Sequence, residues 1–444
     1  LRYELFESYD EYMDESILIY SNEDPVITSF VRYGIYDNET RYYRIDVVDI
    51  WEQQTESPIK TANAFTRFYK TIGGINDDVG YHVLPIENQG FIISGSSESF
   101  GAGNEDGIVV KLDSEGKKMG QFTFGYNERD IFVNSIMLED SSLIFIGRTE
   151  SIGQGGSDGW VVHSDMSGNL LSEFSYGSSG NDRFTSIVKN DNGTLAAIGI
   201  KALEDGSNDF WLVEMDLSGN MISEYTYGGA DYEFGRDIYP SPIGGYLLLG
   251  ETRSYGAGGF DIWLVQVNSI GEQQWQTTLS GTSNDDYARK LIFDRSSGGY
   301  YILTKEGGSS SSPVCIIKID VSGNEIWRHN YGYTASDDAV DMIDLGINSD
   351  YLLVLGTTYK NGNGDLWLYK VDVSSGEYFD ENIFDDGDMD DHGHSINVVA
   401  EINVVAEDYG YILVGESSSY GAGGKDIVII KTDSYGNTVG YEGE

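Results

Sequence analysis

Hydrophobic and polar positions alternate along this chain in short bursts, and one stretch shows the pattern. A strand-like piece from Asp237 ("DIYPS") is followed by the apolar run "GGYLLLGET" from Gly244 and by a glycine-rich loop. The runs "DIWLVQVN" from Asp261 and "EQQWQTTLSG" from Glu272 complete it. Each run is about 5–8 residues long, β-branched or aromatic in character, and bounded by Gly, Asp, Asn and Ser. No copy holds a helix-period stretch of ten or more residues. The pattern predicts four strands, A to D, in roughly 50 residues.

The pattern repeats. Turns of the form D-x-x-G begin at Asp113, Asp165, Asp216, Asn268, Asp320, Asp372 and Asp433, in steps of 52, 51, 52, 52, 52 and 61. Seven residues upstream stand Asp106, Asp158, Asp209, Asp261, Pro313, Asp365 and Asp426. An apolar slot two residues further on holds Ile108, Trp160, Trp211, Trp263, Cys315, Trp367 and Val428. Four strands per repeat at this period predict an all-β fold, a single β-propeller spanning residues 63–444.

A, B and C strands occur seven times, but D-type strands occur eight times, because "AFTRFYKTIGG" (Ala64–Gly74) precedes the first A strand. The expected solution is a seven-bladed ring in which Phe65–Ile72 is the outer strand of the last blade. Residues 1–62 form an acidic, Tyr-rich extension with strand-like pieces Ser16–Tyr20, Val26–Tyr36 and Tyr42–Trp51. The alternative is an eight-bladed ring with these pieces as a degenerate first blade. The repeat "GGYLLLGETRSYGAGGFDIWLV" followed by "D-x-x-GN…W…YGG" resembles uncharacterised prokaryotic secreted or cell-surface β-propeller proteins, distantly kelch-like in length. That resemblance implies the fold and an extracellular or cell-surface setting, and it is nearly silent about function.

Charge narrows the partners. The chain has 73 acidic against 27 basic residues, a formal net charge of −46. Such a surface repels phosphate backbones, so nucleic acid is excluded as a partner, and anionic membranes are disfavoured. No stretch approaches the roughly 20 apolar residues of a membrane span. Cations, proteins and glycans remain. The D–A loops end in Asp78, Asp130, Asp182, Glu233, Asp286, Asp338 and Asp391, an acidic ring with a carboxylate in every repeat. A carboxylate beside a tight turn accepts backbone N–H groups, so the ring is expected to be structural first. Its alternative role is to collect calcium at the channel mouth.

One loop departs from the consensus. "FDDGDMDDHGHS" gathers Asp386, Asp388, Asp390, Asp391, His392 and His394, a candidate metal site with i, i+2 histidines on an extended segment. The duplication "INVVAE-INVVAE" (Ile396–Glu407) follows and accounts for most of the 61-residue step.

Catalytic signals are sparse. The lone Cys315 sits in the Trp slot and reads as a core residue; the five histidines belong to no nucleophile motif, and the glycine loops lack a P-loop lysine. No cofactor is required. Tyr255, Tyr420, Trp275 and Trp327 are candidates for stacking on sugars. The reading is a non-enzymatic extracellular scaffold or adhesion module, a subunit of a surface layer or filament that partners itself or other surface proteins. A carbohydrate-binding or cation-binding propeller is the alternative, and a carboxylate-based hydrolase or lyase is less favoured.

Overall fold

Short runs punctuated by glycine turns cannot build helices, and in the computed structural model every regular element among the described residues is a β-strand. The structure describes residues 2–8, 16–22, 40–48, 54–56, 60–63, 67–86, 89–279, 283–308, 313–345, 350–384, 389–400 and 409–441. The strands form eight antiparallel sheets. Seven have four strands each, and six of these pair strictly in chain order. The first runs from Asp78–Ile86 (strand A) through Gly90–Ser97 (B) and Asp106–Leu112 (C) to Lys118–Phe124 (D). Successive sheets pack on one another, and the seventh packs on the first, so the seven make a closed ring of blades.

The closing blade takes Asp391–Ala400, Tyr409–Ser417 and Asp426–Thr432 from the C-terminal end and Phe68–Ile72 from the other. Ile427 pairs with Ile72, Ile429 with Lys70 and Lys431 with Phe68. Phe68 enters the core shared by the first and last blades, with Val83, Phe91, Ile412 and Val414. Tyr69, on the opposite face, enters the core shared with the sixth blade, with Leu353, Leu355 and Leu413. The alternation of one strand therefore fastens two seams.

The eighth sheet is N-terminal. Its strands are Arg2–Ser8, Ile17–Asn22, Thr40–Val48, Gln54–Glu56 and Lys60–Asn63, paired only among themselves. Arg2–Ser8 lies between Ile17–Asn22 and Thr40–Val48, so the sheet lacks the sequential order of a blade. It also has five strands, not four. The expected pieces at Ser16–Tyr20 and Tyr42–Trp51 fall largely on its second and third strands, whereas Val26–Tyr36 and Trp51 lie outside the described residues, as do Ala64, Phe65 and Thr66.

The Trp slot is core. Trp160, Trp211, Trp263, Trp367 and Cys315 are all buried, and Trp160 stacks on Phe132 at 4.5 Å between ring centres. Burial pushes the Cys315 thiol well above its ordinary range, so it carries no reactive thiolate.

The inner edge of every blade is bulged, and so is the outer edge of every blade but the closing one. In strand A the pairing register slips once in all seven blades, leaving one extra residue: Tyr81, Val133, Thr185, Arg236, Arg289, Val340 and His394. Across from the slip, strand B carries a glycine in six blades. A Cβ on Gly199 would lie 1.9 Å from the Arg183 carbonyl oxygen, and one on Gly147 would lie 1.9 Å from that of Ile131. Glycine is required there by the closeness of backbone to backbone, not by its dihedral freedom. Gly199→Ala should therefore cost about 1–3 kcal/mol, by the overpacking scale. Gly440→Ala, where a Cβ meets nothing within 4 Å, should cost little. Equal denaturation midpoints for the two variants would refute this account.

Outer strands D slip near their starts, and the extra residues Met119, Leu171, Ile222, Ile326 and Phe379 are exposed. Bulges twist a free edge away from pairing with another chain.

Candidate functional site

The carboxylate rings point into the protein. Asp78, Asp130, Asp182, Glu233, Asp286 and Asp391 are each at most 2% exposed. Asp130 shows the arrangement: its Oδ2 accepts the Tyr126 amide at 2.8 Å and the Ser151 hydroxyl at 2.7 Å. In the sixth blade this place belongs to Asp337, which accepts the amides of Tyr333 and Tyr359 and the Thr334 hydroxyl. The assignment of Asp338 to the ring is corrected by one residue. Asp338 instead forms a two-pronged ion pair with Arg289, at 3.1 Å from Nε and 2.8 Å from Nη2.

The second set, from the B–C loops, behaves alike. Asp261 Oδ2 accepts the amides of Ala257 and Gly258, and Asp106 those of Ala102 and Gly103. The glycine loops are thus pinned around a buried carboxylate. The two sets meet at the blade seams. A Cβ on Gly228 would lie 1.9 Å from Asp209 Oδ1 and 2.7 Å from Glu233 Oε2, so only glycine fits between these acids. Asp209 Oδ1 is buried without a hydrogen bond. Burial, then the charges of Glu233 and Asp205, push its carboxyl up to about 6.

That shift has a sign. The folded state holds this proton more tightly than the unfolded chain, so its contribution favours folding at low pH and is lost as pH rises through about 6. Asp209→Asn should raise stability at pH 7 by about 2–3 kcal/mol and flatten the stability profile between pH 4 and 6. An unchanged profile in thermal melts across that window would show that Asp209 does not carry the effect.

The candidate metal loop is only partly described, because Asp386 and Asp388 lie outside the described residues. Asp390 accepts the Gly364 amide at 2.7 Å, and Asp391 the Ser418 amide at 3.0 Å. His394 Nε2 lies 3.5 Å from Glu416 Oε2, and Lys425 holds the other oxygen of that carboxylate at 2.7 Å. Burial would raise the Glu416 carboxyl, but His394 and Lys425 hold it down to about 2. Among the described residues no three His, Cys, Asp or Glu side chains gather in a metal-ligating group. The second copy of the duplication, residues 402–407, lies outside the described residues together with Glu401; the rest of the first copy extends the inner strand of the last blade to Ala400.

The candidate sugar-stacking aromatics are occupied by the protein itself. Trp275 and Trp327 pack partly buried against the blade cores. The Tyr255 hydroxyl donates to the Gly228 carbonyl, and Tyr420 stacks on Tyr441 at 4.0 Å.

A cavity lies where the A strands converge. It encloses 460 Å³, and six of the seven bulged residues line it: Tyr81, Val133, Thr185, Arg236, Arg289 and Val340. The seventh, His394, lines an adjoining 130 Å³ pocket with His82, Lys290, Asp237 and Asp341. Bulges commonly re-aim side chains at functional sites, and here they aim seven side chains at one axis. Arg148, Arg183 and Asp338 complete the charged lining, over an apolar floor of Ile131, Phe184 and Ala288. The site is cationic in an acidic protein.

Most of these charges are matched. Arg236 Nε lies 2.9 Å from Glu251 Oε2, and Glu251 is wholly buried. Lys290 sits between Asp237 and Asp341 at 3.8 and 3.6 Å; these carboxylates raise its ammonium above the ordinary range although burial alone would lower it. His82 is half-buried and bonds the Ser135 hydroxyl through Nδ1; desolvation pushes its imidazole down to about 3, so it is neutral. Of the seven bulged residues only His394 stands in a motif that the sequence singles out. The signal of the rest is only a fixed place, three residues after the ring carboxylate, held by a different kind of side chain from blade to blade.

No protein-family model matches the chain, and no curated protein does. Among solved structures, the chain is similar to Sqt1 from Chaetomium thermophilum at 13% identity, covering 83% of this chain and 99% of that one, with a TM-score of 0.48. BBS1N in complex with ARL6DN is 10% identical over 85% and 98% of the two chains, with a TM-score of 0.48. The polysaccharide lyase Uly1 is 9% identical over 83% and 90%, with a TM-score of 0.46.

Proposed function

We propose that the chain is a non-enzymatic β-propeller that works outside the cell or on its surface as an interaction module, with its recognition site at the central cavity. One observation carries this reading. The ring carboxylate recurs in every blade as architecture, while the bulged position of strand A changes from blade to blade and six of its seven side chains line one 460 Å³ cavity. That volume lies in the range of small-ligand sites. The buried Cys315 and the inward-turned carboxylate rings support binding over catalysis. The secreted or surface setting rests on the repeat resemblance and the strongly acidic composition.

The test compares the full chain with Val340→Trp, which fills the cavity, on arrays of peptides, small organic acids and oligosaccharides. Ligands of the full chain should be lost in the variant while its melting temperature stays within a few degrees. Binding that persists unchanged, or turnover of an arrayed compound, would overturn the reading.

A further inference from the structure

We propose that the central cavity binds a compact organic acid, whose carboxylate is held by Arg148 and Arg183 while its hydrocarbon body covers the apolar floor. This inference rests on the cavity being the recognition site and adds the chemistry of its ligand.

Charge balance within the cavity selects those two residues. Four of the chain's 27 basic residues line it, against one acid, Asp338. Asp338 is engaged with Arg289, Glu251 with Arg236, and Asp237 and Asp341 with Lys290. Arg148 and Arg183 have no hydrogen bond or ion pair among the described residues, although both are half-buried. They lie on adjacent blades: Arg148 on strand B of the second, opposite Ile131, and Arg183 at the start of strand A in the third.

The cost of this arrangement is visible. Burial first, then the charges of Arg236 and Arg148, lower the Arg183 guanidinium to about 10. Three guanidinium groups on three successive blades repel one another, and a bound anion between them relieves that repulsion. Guanidinium forks match planar oxyanions in pairs of hydrogen bonds.

The rest of the molecule limits the anion. A net charge of −46 repels polyanions such as nucleic acids or anionic membranes. A small acid carries too little charge to be kept out and enough to be captured at a half-buried guanidinium pair. Carboxylate and phosphate share this chemistry, but inorganic phosphate would leave Ile131, Val133, Phe184, Ala288 and Val340 uncovered. The apolar floor favours the organic acid.

The experiment is calorimetric titration of the full chain with glutarate, the uncharged glutaramide and inorganic phosphate, at low and physiological salt. Arg148→Met and Arg183→Met keep the aliphatic stem and remove the charge. Glutarate should bind, glutaramide should not, and each variant should weaken glutarate at least about tenfold. Removing an unpaired cation should leave melting temperatures equal or higher, which separates lost binding from unfolding. No glutarate binding, phosphate binding without glutarate, or equal affinity in both variants would overturn the proposal. Should glutarate fail while Val340→Trp still abolishes an array ligand, the anion assignment falls and the cavity remains the recognition site.

Discussion

Deleting residues 1–73 should abolish cooperative unfolding of the ring, whereas deleting residues 1–63 should leave it nearly intact. The two truncations differ by one strand. Phe68–Ile72 supplies the outer edge of the last blade, and its Phe68 and Tyr69, each 1% exposed, sit in two different seams. Single substitutions of large buried aromatics cost about 3–5 kcal/mol each. Loss of the whole strand removes both, together with its ladder to Asp426–Thr432, from a domain whose total stability is of order 5–15 kcal/mol. The N-terminal sheet contributes none of the ring's strand pairings. Circular dichroism melts of the two truncations decide the matter. A cooperative, native-like transition in the shorter chain would show that closure does not depend on this strand.

The contrast explains what the sequence disclosed. Periodicity exposed the strands, the Trp slot and the D strand that precedes the first A strand, because each recurs at fixed spacing and packs the same way in every blade. Among the described residues the ring holds seven D strands, not the eight expected, since Phe68–Ile72 serves as the seventh. The same logic hid the cavity. Arg183, Arg236 and Arg289 occupy columns that vary between repeats, and a method that looks for constancy passes over them. The bulges that turn Arg236 and Arg289 inward depend on a register slip, marked in sequence by Gly250 opposite the first and by nothing opposite the second, where Thr304 stands in the glycine's place. Blade six shows the limit of counting back from a turn. Asp337 and Asp338 are adjacent acids, and only the hydrogen bonds to Tyr333 and Tyr359 distinguish the buried one. A spacing of five residues from the preceding glycine, as in Gly125 to Asp130 and Gly177 to Asp182, points to Asp337 from Gly332. The N-terminal strands were legible as strands, but their order was not, since pairing between non-consecutive strands leaves no period.

Glu251→Leu should be the most damaging single substitution at the channel, costing about 3–5 kcal/mol. Glu251 is fully buried; it accepts Arg236 through Nε and the Ala288 amide at 2.9 Å. Burial raises its carboxyl despite the neighbouring Arg236 and Arg289, so the ionised pair is held together against desolvation. The expected loss is then mostly the cost of stranding Arg236, not the worth of the pair. The double variant Glu251→Leu/Arg236→Met should recover more than half of it, leaving chiefly the orphaned Ala288 amide at about 1–3 kcal/mol. Urea denaturation at constant slope measures both, and a double variant no better than the single one would mean that the pair itself stabilises the fold. The milder Glu251→Gln keeps an acceptor for Ala288 while freeing Arg236 as a third unmatched guanidinium. That variant should bind glutarate more tightly than the parent while melting at a lower temperature. The cation excess at the cavity would then be set by how many of its arginines the protein leaves without a partner.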